Sequence, residues 1–100
     1  MKIVIENISY EIEKYSFYIF KIVDRQGALE SRLDIVLDRN KYFPMIEQIV
    51  LDIDKYFKGT IILEASDSDV YTFNGYEFMS IDTTSNNDNE IILHFKKALN

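Results

Sequence analysis

The stretch Tyr42 to Gly59, YFPMIEQIVLDIDKYFKG, constrains this chain more than any other. On a wheel of about 100° per residue, Met45, Tyr56, Ile49, Tyr42, Ile53, Ile46, Phe57 and Val50 share one arc. Glu47, Gln48, Asp52, Asp54, Lys55 and Lys58 share the opposite arc. That is the period of an amphipathic helix with a broad apolar stripe. Pro44 lacks the N–H that a first helical turn leaves unpaired anyway. Glu47 near the start and Lys55 and Lys58 near the end suit the helix dipole. Gly59 suits a left-handed residue just past the last turn. The pattern predicts one helix over residues 43–58. Leu51 is the lone apolar side chain in the polar arc, and with Asp54 it is a candidate partner contact.

The segments on either side read as strands. Lys2 to Glu13 alternates with period two and is expected to bend at Glu6-Asn7. Tyr15 to Val23, YSFYIFKIV, puts Tyr15, Phe17, Ile19 and Val23 on one side and Tyr18, Phe20 and Ile22 on the other. A strand apolar on both faces is expected at the centre of a sheet, covered twice. Asp24 to Gly27 reads as a type I turn. Leu29 to Leu37 alternates, with Leu29, Ser31, Leu33, Ile35 and Leu37 inward and Glu30, Arg32 and Asp34 outward. These three segments are expected to form a meander, and the helix to cover one face of it.

After Gly59, Thr60 to Ala65 is a short strand. Val70 to Phe73, Asn74-Gly75 and Tyr76 to Ile81 read as a two-residue hairpin, because both turn residues tolerate positive φ. Glu90 to Phe95 closes the sheet, and Lys96 to Asn100 is expected to fray. The expected fold is one α+β domain over residues 1–100: an antiparallel β-meander, one packed helix, a C-terminal hairpin and a closing strand.

The net charge is −6, and the chain has no cysteine. Residues 42–90 carry ten carboxylates against only Lys55 and Lys58. Such a surface repels nucleic acid and anionic membrane and attracts a basic partner. No apolar run is long enough for a signal peptide or a membrane helix, so the cytoplasm is the expected compartment. The Ile, Lys, Asn, Asp and Tyr vocabulary suits a bacterial or phage source.

Little in the sequence points to catalysis. His94 is the single histidine, and no Gly-x-Ser-x-Gly stretch offers it a serine. It reads as a sheet-face histidine with a hydrogen-bond partner. One histidine and no cysteine leave zinc without its usual ligands, and no segment matches a twelve-residue calcium loop. No glycine-rich phosphate loop is present. No cofactor and no enzymatic activity are expected. Tyr71 and Tyr76, flanked by Asp67, Asp69 and Glu77, read as an acidic–aromatic contact patch, with tyrosine as anchor and carboxylates as steering charge.

Two passages carry a resemblance, Tyr56-Phe57-Lys58-Gly59-Thr60-Ile61-Ile62-Leu63-Glu64 and Ile91-Ile92-Leu93-His94-Phe95. Together with the preceding apolar arc, the span 42–95 resembles small bacterial immunity proteins that guard against wall-associated polymorphic toxins. The likeness is one of element order and apolar spacing. The Asp-Gln pair of that group's closing segment is missing here, and no functional residue carries over. The resemblance implies a non-enzymatic inhibitor of one toxin. Two other readings stand beside it. One is a phage or mobile-element inhibitor that mimics nucleic acid, and the other is a small-ligand-binding domain. A homodimer is a further expectation, since the second face of Tyr15–Val23 needs a cover.

Overall fold

A computed structural model describes residues 2–12, 15–38, 48, 53, 57–64, 69–82 and 90–99. They form one seven-stranded antiparallel sheet. In chain order its strands are β1 (Lys2–Ile5), β2 (Ile8–Glu11), β3 (Tyr15–Val23), β4 (Leu29–Asp38), β5 (Lys58–Glu64), β6 (Val70–Asp82) and β7 (Glu90–Ala98). Across the sheet they lie in the order β2-β1-β5-β6-β7-β4-β3.

This corrects the expected α+β class. The described residues are an all-β fold and include no helical element. Most of the segment 43–58 lies outside them. Of its described members, Ile53 and Phe57 are buried in the core, whereas Lys58 already belongs to β5. Gly59 is no helix cap. It sits within β5, where an added Cβ would stand 3.0 Å from the Phe57 ring. A side chain at position 59 would press on that ring, which would have to give by a few tenths of an ångström.

Each strand follows from its side chains. Glu6 and Asn7 have φ of 54° and 66° and join β1 to β2 between the paired Ile5 and Ile8. Two central residues at positive φ make the turn whose twist suits a hairpin. The bend expected at Glu6-Asn7 is thus a full reversal. Asp24 closes the β3–β4 turn: its carbonyl accepts from the Gly27 N–H, and its carboxylate accepts from the Gln26 and Ala28 N–H groups. β4 alternates as expected, with Ser31, Leu33, Ile35 and Leu37 buried.

β2 ends at Glu11 and β3 begins at Tyr15, yet they occupy opposite edges of the sheet. Four residue steps reach at most about 14 Å. The sheet must therefore curl until its first and last strands approach each other. The expected meander is broken at this point, because β2 pairs with β1 and β3 with β4. Phe17 of β3 reaches across the curl to Tyr71 and Phe73 of β6, with ring centroids 5.0 and 5.9 Å away.

β6 makes the curl possible. It is one strand of thirteen residues, so Asn74-Gly75 is not a hairpin turn. Gly59 pairs with Tyr76 and Ile61 with Phe73, which leaves Thr60 facing both Asn74 and Gly75. Gly75 takes φ 76° in this bulge, and the Thr60 hydroxyl donates to the Asn74 side-chain carbonyl at 2.9 Å. A second irregularity falls between Phe78 and Ser80, opposite Phe95 and His94. Each bulge adds one residue, bends the strand and shifts its side-chain alternation by one. Phe73, Tyr76, Phe78 and Ile81 consequently all face the core. Of the Asn-Gly pair only Gly75 takes positive φ, and it does so in a bulge instead of a turn.

The core lies on the concave face. Ile3, Ile35, Leu33, Ile61, Leu63, Leu93 and Phe95 are fully buried there. The buried Ser31 and Tyr76 hydroxyls satisfy each other at 2.6 Å. The C-terminus does not fray where expected, since β7 runs to Ala98 and the Leu99 N–H donates to the Leu29 carbonyl.

Candidate interaction surface

The convex face is built from alternate residues of β6, β7, β4 and β3. Register sets Ser80 opposite His94, His94 opposite Asp34, and Asp34 opposite Tyr18. His94 Nδ1 lies 2.7 Å from Asp34 Oδ1, both side chains about a fifth exposed. A serine, a histidine and a carboxylate thus share one row. Among the described residues, no hydrogen bond joins the Ser80 hydroxyl to the imidazole. His94 is the partnered sheet-face histidine that its alternation implied. Below this row Lys96 faces Glu77 at 3.7 Å, and Arg32 pairs with Glu30 on its own strand. Carboxylates and basic side chains are interspersed on this face, with Arg32 and Lys96 side by side.

The expected acidic–aromatic patch is divided. Tyr76 is buried, its hydroxyl engaged by Ser31 and its ring 5.9 Å from the Lys97 ammonium, so it presents no surface to a partner. Glu77 follows it in β6 and points to the opposite face, toward Lys96. Tyr71 and Asp69 are exposed near the start of β6. Leu51, Asp54 and Asp67 lie outside the described residues. Among the described residues, then, Asp69 and Tyr71 stay together, while Tyr76 and Glu77 part from them.

Tyr71 has neighbours that the sequence did not announce. Its ring is braced on Phe17 from the far side of the curl, and Phe17 also meets Phe73, which in turn meets Tyr76. Val70, beside Tyr71, is 57% exposed. The rim at Asp69-Val70-Tyr71 is therefore an exposed apolar spot on a firm aromatic base, with a carboxylate next to it. Phe17 was legible as an apolar strand residue, but nothing in one sequence told that β3 would cross to β6.

The second exposed apolar region is β3 itself. Tyr18, Ile19, Phe20 and Val23 are 59%, 51%, 40% and 63% exposed. The strand expected at the centre of the sheet lies at its edge, paired with β4 alone among the described strands. An open hollow of about 250 Å³ adjoins its end, lined by Ile22, Asp24, Leu29, Glu30 and Arg32. No described helix is long and apolar enough to cross a membrane. Comparisons of the chain with protein-family models, curated proteins and solved structures return no match.

Proposed function

We propose that this chain is a non-enzymatic, immunity-type inhibitor that binds another protein, a basic one, at the β6 rim. The observation that carries this reading is the exposed Tyr71 ring held 5.0 Å from Phe17, beside exposed Val70 and Asp69. A tyrosine anchored on a second aromatic ring has little motion left to lose on binding, and such residues dominate interface energetics. Asp69 adjoins it, on a chain of net charge −6, and that charge steers a cationic partner toward the molecule. The two passages that resemble immunity proteins supply β5 and most of β7, the strands that flank β6 on either side.

An acidic mimic of nucleic acid would need carboxylates in an unbroken row like phosphates. Among the described residues, the convex-face carboxylates Glu30, Asp34 and Glu77 are instead set against Arg32, His94 and Lys96. Among the described residues, the hollow at the β3–β4 turn lends no support to a small-ligand site, since it is open and its 250 Å³ falls below the usual pocket size of about 300–1,000 Å³. The deciding experiment is co-expression with a panel of basic nuclease toxins. Restored growth with a stable complex supports the proposal. Growth arrest that persists despite soluble protein contradicts it.

A further inference from the structure

We propose that the outer edge of β3 is a homodimer interface, in which two copies pair β3 with β3 antiparallel and join their sheets. This goes beyond the inhibitor reading and does not depend on it. β3 is a nine-residue edge strand. Alternate residues of such an edge turn N–H and C=O groups outward, ready to continue the ladder. Proteins that remain single usually protect an edge of this length with charge, proline or brevity. Here Lys21 is the only charged residue in Tyr15–Val23, there is no proline, and Tyr18, Ile19, Phe20 and Val23 are exposed. The apolar exposure involves both faces, since Ile19 and Val23 lie on the concave side and Tyr18 and Phe20 on the convex side.

The occupant follows from charge and symmetry. The basic partner proposed above is drawn to carboxylates, and Tyr15–Val23 contains none. In a molecule of net charge −6, β3 is also where two like copies approach with least repulsion. A two-fold axis at Ile19 makes the strand its own complement. Tyr18 then stands opposite Phe20 of the partner copy, and the symmetric pair repeats the contact on the convex face. Cross-strand aromatic pairs of this kind are favoured on sheets.

The test is sedimentation of the whole chain through a dilution series, beside Ile19→Lys and Phe20→Lys variants. The wild type should sediment at about twice 11.8 kDa, and each variant as a monomer with an unchanged β-sheet circular dichroism spectrum. A wild type that is monomeric throughout would overturn the inference. So would dimers that survive both lysines, or assemblies that grow beyond the dimer, which would mean head-to-tail pairing. Because the chain has no cysteine, an Ile19→Cys variant gives a second readout free of folding defects from a buried charge. It should oxidise to a disulfide-linked dimer at the axis, whereas Val23→Cys should not. Both lysine variants should still bind the basic partner. Loss of the dimer alone therefore separates this inference from the inhibitor reading.

Discussion

His94 grips Asp34 across the β4–β7 ladder, Nδ1 to Oδ1 at 2.7 Å, with both side chains less than a quarter exposed. The contact couples the chain's one histidine to a strand sixty residues earlier. It lies in the polar row that Ser80, His94, Asp34 and Tyr18 form across the convex face. Replacing Asp34 with alanine leaves a half-buried imidazole without its partner, at a loss of about 1–2 kcal/mol. Replacing Ser80, the other neighbour in the row, should change stability by less than about 0.5 kcal/mol. Urea unfolding of Asp34→Ala and Ser80→Ala measures both. Equal losses would mean that the serine belongs to the network.

The Glu6-Asn7 turn holds two non-glycine residues at positive φ. Asparagine tolerates that conformation, but glutamate does so poorly. Changing the pair to the preferred turn residues, Glu6→Asn with Asn7→Gly, should stabilise the fold by roughly 0.5–1 kcal/mol. In a domain of this size that raises Tm by about 4 °C. A lower Tm would show that the Glu6 side chain contributes more than its backbone strain removes.

Gly75 tests the bulge in β6. A Cβ there would meet the Lys97 side chain at an ordinary 3.5 Å, so the penalty is one of backbone and not of space. Gly75→Ala should cost about 1 kcal/mol, and Gly75→Asn less, because asparagine accepts positive φ more readily. Equal penalties in thermal unfolding would contradict this account.

Tyr76 separates packing from recognition. Its hydroxyl and that of Ser31 are buried together at 2.6 Å. Tyr76→Phe strands the serine hydroxyl and should destabilise the fold by about 1–2 kcal/mol. Affinity for a protein partner should not change. A binding defect with unaltered stability would return Tyr76 to the contact surface.

Much of the sheet was legible, and the reasons for the failures are physical. β4 read correctly because one of its faces is dry and the other polar, so its alternation is clean. β3 misled because a strand apolar on both faces is consistent with a central strand or with an edge that awaits a partner. Periodicity cannot distinguish these cases. Asn74-Gly75 pointed to positive φ, which Gly75 alone adopts, but not to its use, since bulges and hairpins draw on the same residues. The helical period of 42–59 still placed Ile53 and Phe57 in the core, yet Lys58 and Gly59 proved to be strand. Of the expected contact patch, Asp69 and Tyr71 are exposed together, as their setting in a polar, acidic stretch suggested. The support of Tyr71 by Phe17 depends on the curl of the whole sheet, which no local pattern encodes.

The most direct measurement is a calorimetric titration of the wild type and Tyr71→Ala against a basic nuclease toxin that the wild type neutralises in co-expression. Unfolding curves run alongside would show that the variant stays folded. The account predicts tight wild-type binding that weakens by at least about 10-fold in the variant, as expected for an interface anchor. Identical affinities, with the fold intact, would contradict it.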